Sequence, residues 1–199
     1  MAYGILGGSF DPIHVGHVAA AEAVLAHRGL EKVFLVPAGQ APHKGDAGAS
    51  FEHRLEMARL AARGRAGLEV LDLEGRRPGP SYTVDTLAEL RRLHPGASFE
   101  LLVGADMLAD LPRWRRAREV VEAAVVVAFG RPGEAADQAR QTFEAAFGAG
   151  RHVWLELEPV AVSSSDLRRW LAAGEPVEGL LDPAVEAYIR DRGLYGTGG

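Results

Sequence analysis

The chain has 199 residues, a formal net charge of −5 and no cysteine. That length fits one domain with a substantial core, the charge offers no global basic field for nucleic acid, and the cysteine count excludes disulfides and thiolate metal sites. The first apolar stretch, Tyr3–Leu6, is far too short for a membrane span and lacks a basic leader, so a soluble cytoplasmic protein with no membrane partner is the default expectation.

Taken in chain order, strand and helix patterns alternate. Tyr3–Leu6 reads as a first strand and Val18–Arg28 as a helix with Val18, Ala21 and Leu25 at apolar spacing, stopped by Gly29. Lys32–Pro37 predicts a strand, then Phe51–Arg63 a helix capped by Ser50, with Phe51, Leu55, Ala58 and Ala62 on one face. Leu68–Leu71 follows as a strand and Thr83–Leu93 as a helix closed by His94-Pro95-Gly96. Phe99–Val103, Ala124–Phe129 and Val153–Leu157 are further strands, and Glu134–Phe147, Asp166–Ala173 and Pro183–Arg192 further helices. Ala124–Phe129 is apolar without alternation, as a strand covered on both faces should be. The order predicts an α/β fold, a doubly wound parallel sheet in a single domain over residues 1–199, with ligands beyond the carboxyl ends of the strands. Gly39–Ser50 and Gly75–Ser81 read as polar loops near those ends.

The run Gly7-Gly8-Ser9-Phe10-Asp11-Pro12-Ile13-His14-Val15-Gly16-His17 follows the first strand. Glycines let backbone N–H groups approach an anion, and a helix N-terminus carries partial positive charge. His14 and His17, three residues apart on a first helical turn, share a face beside that anion site. A transition metal on this pair would need further ligands, and the next histidine, His27, is on the far part of the same helix, so no metal site is assigned. A purely structural pair of capping imidazoles leaves Gly16 between them unexplained. Neither the P-loop nor the G-x-G-x-x-G fingerprint is present.

A second segment, Val162-Ser163-Ser164-Ser165-Asp166-Leu167-Arg168, supplies serines as helix caps and an arginine in the first turn whose fork can take phosphate oxygens. Together, His14-Val15-Gly16-His17 within its long form and this serine-arginine segment resemble the H-x-G-H and I-S-S-T-x-I-R elements of the adenylyl- and cytidylyltransferase superfamily. Val162, Ser165 and Leu167 depart from that second element conservatively.

Three further segments narrow the comparison. Pro42-His43-Lys44 places one of only two lysines on the loop after the second strand. Ser81-Tyr82-Thr83 precedes a helix, and one of its hydroxyls is expected to cap that helix. Gly104-Ala105-Asp106 with Trp114 reads as a turn able to meet a ribose and an aromatic able to stack on a heteroaromatic ring, Trp114 being read alternatively as packing of an amphipathic helix. Arg113, Arg115, Arg116 and Arg118 read as a solvated face. His53, His94 and His152 read as ordinary loop, turn or surface residues.

The spacing of these segments resembles that of bacterial nicotinate mononucleotide adenylyltransferases, from Tyr3 to the Tyr188–Tyr195 segment. The resemblance implies a Rossmann-like nucleotidyltransferase fold and transfer of AMP from ATP to nicotinate mononucleotide in NAD biosynthesis, with Mg²⁺ accompanying ATP. It implies that His14, His17, Lys44 and Arg168 carry the chemistry, and that Gly7, Gly8, Ser9, Phe10, Gly16, Ser163, Ser164 and Ser165 bind ATP. Tyr82, Thr83, Asp106 and Trp114 would hold the mononucleotide. Nicotinamide mononucleotide, phosphopantetheine and a non-catalytic nucleotide sensor stand as alternatives. No nucleic-acid partner is expected, and the sequence leaves a homo-oligomer open.

Overall fold

A computed structural model describes residues 1–40, 48–158 and 160–198. Six parallel strands form one sheet in the order β3-β2-β1-β4-β5-β6. They are β1 (Ala2–Gly8), β2 (Lys32–Pro37), β3 (Leu68–Val70), β4 (Ser98–Gly104), β5 (Val125–Gly130) and β6 (His152–Glu156). The order reverses between β1 and β4, which pair in register from Ala2 with Ser98 to Ile5 with Leu101. Open α/β sheets bind ligands at such a reversal. The inner strands are apolar runs buried over nearly their whole length, whereas edge strands β3 and β6 are half-exposed, as coverage of both sheet faces requires.

The helices are α1 (Val15–Arg28), α2 (Phe51–Ala62), α3 (Thr83–Leu93), α4 (Ala105–Asp110), α5 (Ala117–Ala123), α6 (Glu134–Phe147), α7 (Ser164–Ala172) and α8 (Pro183–Asp191). Among the described residues, none is long and apolar enough to cross a membrane. α4 and α5, joined by a 3₁₀ turn over Leu111–Arg113, were not expected from the sequence. Each is too short for apolar periodicity to register, and Pro112 and the left-handed Arg116 (φ 54°) break the run.

The chain forms two compact units. The first comprises residues 1–6, 20–34 and 82–159. Its core includes Phe99, Leu101, Val126, Val127, Leu87, Leu108 and Phe143, all at most 3 % exposed. Burying a side chain of this kind contributes about 1.5–3 kcal/mol. A bidentate pair of Arg28 with Glu100, at 3.0 and 2.8 Å, lies at its margin. His94 stacks on Phe34 and meets Tyr3 edge-on, and His152 tucks its ring against Phe143 with 6 % of the side chain exposed. His152 is therefore a core-lining residue of an edge strand, not a surface one. An isolated imidazole in a half-exposed strand carries no sequence signal for which way it turns.

The second unit comprises residues 7–19, 35–81 and 160–199. Phe10, Ile13, Leu35, Met57, Leu167, Val185 and Ile189 form its core. Ser50 caps α2, Ser163 caps α7 and Asp182 caps α8, each lending an oxygen to an N–H that has no helical acceptor.

Candidate active site

α1 begins at Val15, so His14 occupies the residue before the helix and not its first turn. Its carbonyl accepts the N–H groups of His17 and Val18, at 3.0 and 3.3 Å. In return His17 Nδ1 accepts the His14 backbone N–H at 3.2 Å. The accepting nitrogen is unprotonated, so the proton of the neutral His17 ring sits on Nε2. The two rings lie 3.7 Å apart, centroid to centroid. A Cβ on Gly16 would stand 3.1 Å from both Cε1 and Nδ1 of His14, which accounts for the glycine between the histidines.

The His14 side chain is buried, and its Nδ1 makes no hydrogen bond within the described residues. Burial pulls its pKa down from 6.5 to about 4, because desolvation disfavours the charged ring. The unfolded chain therefore holds a proton between those values that the folded chain does not. Stability should fall by about 1.4 kcal/mol per pH unit as pH drops from 6.5 toward 4, and this contribution is absent above pH 6.5. Denaturant unfolding of the wild type and His14→Gln across pH 7 to 4 checks this. The wild type should lose stability relative to the variant over that window, and parallel curves would contradict the burial.

Around the pair, Phe10 is 1 % exposed, sits at φ 48°, and meets His17 edge-on at 5.1 Å. A bulky residue in the left-handed region is strained and persists only where packing over-determines it. Its ring covers Gly8, where a Cβ would be 3.1 Å away, while at exposed Gly7 the nearest atom to a Cβ would be 4.0 Å off. The turn thus leaves an open approach at Gly7 and a packed floor under Gly8.

The serine-arginine segment docks on this turn. Ser164 Oγ donates to the Pro12 carbonyl at 2.9 Å, and Arg168 Nη1 donates to the Asp11 carbonyl at 2.6 Å. Ser163 Oγ is committed to the helix, accepting the Asp166 N–H at 3.1 Å and donating to its carboxylate at 2.7 Å. Ser165 Oγ accepts from Arg168 Nη2 at 3.3 Å. The main-chain N–H groups of Ser164 and Ser165, first in α7, have no acceptor inside the helix, which makes them anion donors. His14, His17, Ser163, Ser164, Ser165 and Arg168 are thereby brought together in one unit. Lys44 lies outside the described residues.

Two residues here had no sequence assignment. Arg54 on α2 is 3 % exposed, and its guanidinium donates to the carbonyls of Ser9 (2.6 Å), Gly39 (3.2 Å) and Ala49 (3.3 Å). Its signal was the i, i+3, i+4, i+7 row of Arg54, Met57, Ala58 and Ala61, all buried. Asp11, also buried, accepts from Gly48 and Ala49 N–H and lies 3.5 Å from Arg168 Nη1.

The expected hydroxyl cap on α3 does not form. Tyr82 precedes the helix with no side-chain cap, and Ser81 Oγ instead accepts the N–H groups of Gly39 and Gln40 at 3.0 and 3.3 Å. Ser81 therefore serves the loop after β2, a long-range demand that a local cap rule does not see.

In the first unit, Trp114 is half-exposed and follows the 3₁₀ turn, outside any amphipathic helix. Its neighbours bring it beside the start of α3: Arg115 lies over the Tyr82 ring at 4.6 Å and Arg116 is 3.8 Å from Asp85. Asp106 is exposed in the first turn of α4, close over Gly104, where a Cβ would be 2.9 Å from its Oδ1.

The cytidylyltransferase-like family profile matches residues 5–170. A "probable nicotinate-nucleotide adenylyltransferase" of Gloeobacter violaceus is 44 % identical over 198 residues, covering 96 % of this chain and 95 % of that one. A protein of the same description from Symbiobacterium thermophilum is 42 % identical over 195 residues, covering 96 % and 93 %. The fold is shared with a Plasmodium falciparum nicotinic acid mononucleotide adenylyltransferase complexed with NaAD, at a TM-score of 0.76 and 20 % identity over 98 % of this chain and 97 % of that one. On full-length identity of this order, the chain belongs to the nicotinate-nucleotide adenylyltransferase family, within the cytidylyltransferase-like proteins.

Proposed function

We propose that this protein transfers AMP from ATP to nicotinate mononucleotide, giving nicotinate adenine dinucleotide and pyrophosphate in NAD biosynthesis. The observation that carries the reading is the interlocked His14–His17 pair at the start of α1, with the start of α7 and Arg168 bonded to the same turn. Donors of this kind suit a polyphosphate.

An oxygen of the mononucleotide 5′-phosphate forms the new bond to the α-phosphorus of ATP. The bond from that phosphorus to the bridging oxygen breaks, and its electron pair leaves with pyrophosphate. The attacking phosphate is already anionic near neutral pH, so no base is needed. Catalysis then rests on positioning and on stabilising charge on the transferring and leaving oxygens. His17 Nε2–H, Arg168 and the N–H groups opening α7 supply that stabilisation, with Lys44 as a point charge. Gly7, Gly8, Ser9 and Gly16 let the phosphates approach main chain, and Phe10 supports His17 from beneath. Tyr82, Thr83, Asp106 and Trp114 hold the mononucleotide, Trp114 by stacking on the pyridine ring.

Mg²⁺ would enter as a companion of the triphosphate. The Asp11 carboxylate is taken up by Gly48, Ala49, Tyr195 and Arg168, so the substrate's own oxygens would hold the ion. It would neutralise and orient the triphosphate.

Pyrophosphate release with ATP and Mg²⁺, run in parallel with nicotinate mononucleotide, nicotinamide mononucleotide and phosphopantetheine, tests the reading. The acid should be preferred over the amide by about tenfold or more in kcat/KM, the worth of one charge-assisted hydrogen bond. Turnover with phosphopantetheine would remove the roles of Thr83 and Trp114, and silence with all three alongside ATP binding would make the protein a sensor.

A further inference from the structure

Residue 195 reaches the phosphate-binding turn from 184 positions away in the chain. Tyr195 O–H donates to Asp11 Oδ1 at 2.7 Å, and Oδ1 also accepts the Ala49 N–H at 3.1 Å. The other oxygen, Oδ2, accepts the Gly48 N–H at 2.8 Å and lies 3.5 Å from Arg168 Nη1. Asp11 is 3 % exposed, so all these partners meet its carboxylate away from water. The phenol is pushed well above its ordinary pKa by burial and by the carboxylate beside it, which keeps it a donor.

Tyr195 is not there by default. It sits at φ 57°, ψ 28° between Gly193 (φ 60°) and Gly196 (φ 82°), a left-handed conformation that a bulky residue rarely adopts. Thr197 Oγ1 locks the hook by donating to the carbonyls of Leu194 (2.8 Å) and Ile189 (3.2 Å). At Gly48 a Cβ would stand 3.0 Å from Arg168 Cδ and 3.1 Å from Tyr195 Cε1. Glycine there lets the tyrosine and the arginine close on Asp11 together. Strain held by surrounding structure beside a functional group is the pattern of a site-building residue.

We propose that Tyr195 is a positioning residue for Arg168, setting how much of the guanidinium is given to Asp11 and how much is left for phosphate. With Oδ1 engaged by Tyr195 and Ala49, Asp11 can offer Arg168 only one side. Without the phenol O–H, Oδ1 keeps only the Ala49 N–H at 3.1 Å, and its freed lone pair and charge pull the guanidinium closer to the carboxylate. Arg168 is then drawn off the phosphates. This inference rests on the phosphate-binding role of Arg168 proposed above.

The test is titration of the protein with inorganic pyrophosphate and Mg²⁺ by calorimetry, for the wild type and Tyr195→Phe, each with Arg168 and with Arg168→Lys. Tyr195→Phe should weaken pyrophosphate binding about tenfold, or about 1.4 kcal/mol. In the Arg168→Lys background the same change should alter Kd less than twofold, because an ammonium has no fork for a carboxylate to capture. Unchanged binding in Tyr195→Phe overturns the proposal. Equal losses in both backgrounds also overturn it, since a general structural role acts additively. If the wild type shows this pattern yet transfers no AMP, the proposed reaction fails and the role of Tyr195 stands.

Discussion

His17→Ala should lower kcat by about 10²–10³-fold, the loss that follows removal of one preorganised donor to a developing oxyanion. Nδ1 is already occupied as an acceptor of the His14 N–H, so in the neutral ring Nε2 carries the proton. Alanine removes both functions at once, leaving an N–H beside the motif without its acceptor at a cost of about 1 kcal/mol. His17→Asn separates them. Its Oδ1 can take over from Nδ1, so stability should recover, but nothing replaces Nε2 and kcat should stay low. Initial rates at saturating ATP, with unfolding curves for both variants, check this. A kcat for His17→Ala within about threefold of the wild type would remove His17 from the chemistry.

Arg54→Met should destabilise the fold by about 3–5 kcal/mol, the largest stability effect expected of a single substitution here. The guanidinium holds three main-chain carbonyls, one after β1, one after β2 and one before α2. A methionine fills much of the volume but leaves those carbonyls without their donor, and each such loss costs about 1–3 kcal/mol. The cation itself is uncomfortable there: burial lowers its pKa, while Asp11 opposes the shift. Arg54→Lys should recover only part of the loss, because one ammonium cannot span three diverging acceptors. Urea midpoints for both variants measure the effect, and a loss below about 1 kcal/mol for Arg54→Met would show that the carbonyls find other donors.

These two residues mark different depths of legibility. The pairing of His17 with His14 was readable because a glycine turn, a proline and an i, i+3 histidine pair are local chemistry written contiguously. Ser50 as a cap and Ser163–Ser165 at the start of a helix were readable for the same reason. Arg54 carried only a faint mark, a charged residue in a row of otherwise apolar core positions, and Ser81 misled because its hydroxyl answers Gly39 and Gln40 and not its own helix.

By itself the sequence determined the alternation of strands and helices, the doubly wound parallel sheet and the glycine–histidine and serine–arginine motifs, because apolar periodicity, caps and glycine turns act over a few residues. Tertiary structure alone decided that His14 is buried and neutral while His17 Nδ1 accepts the His14 main-chain N–H. It also decided that Ser163 is spent on a cap while Ser164 docks on Pro12. The joining of Asp11 to Arg168 and Tyr195 belongs there too. Those outcomes depend on which buried donors and acceptors find one another across distant segments, and desolvation enforces that pairing only once the chain has folded.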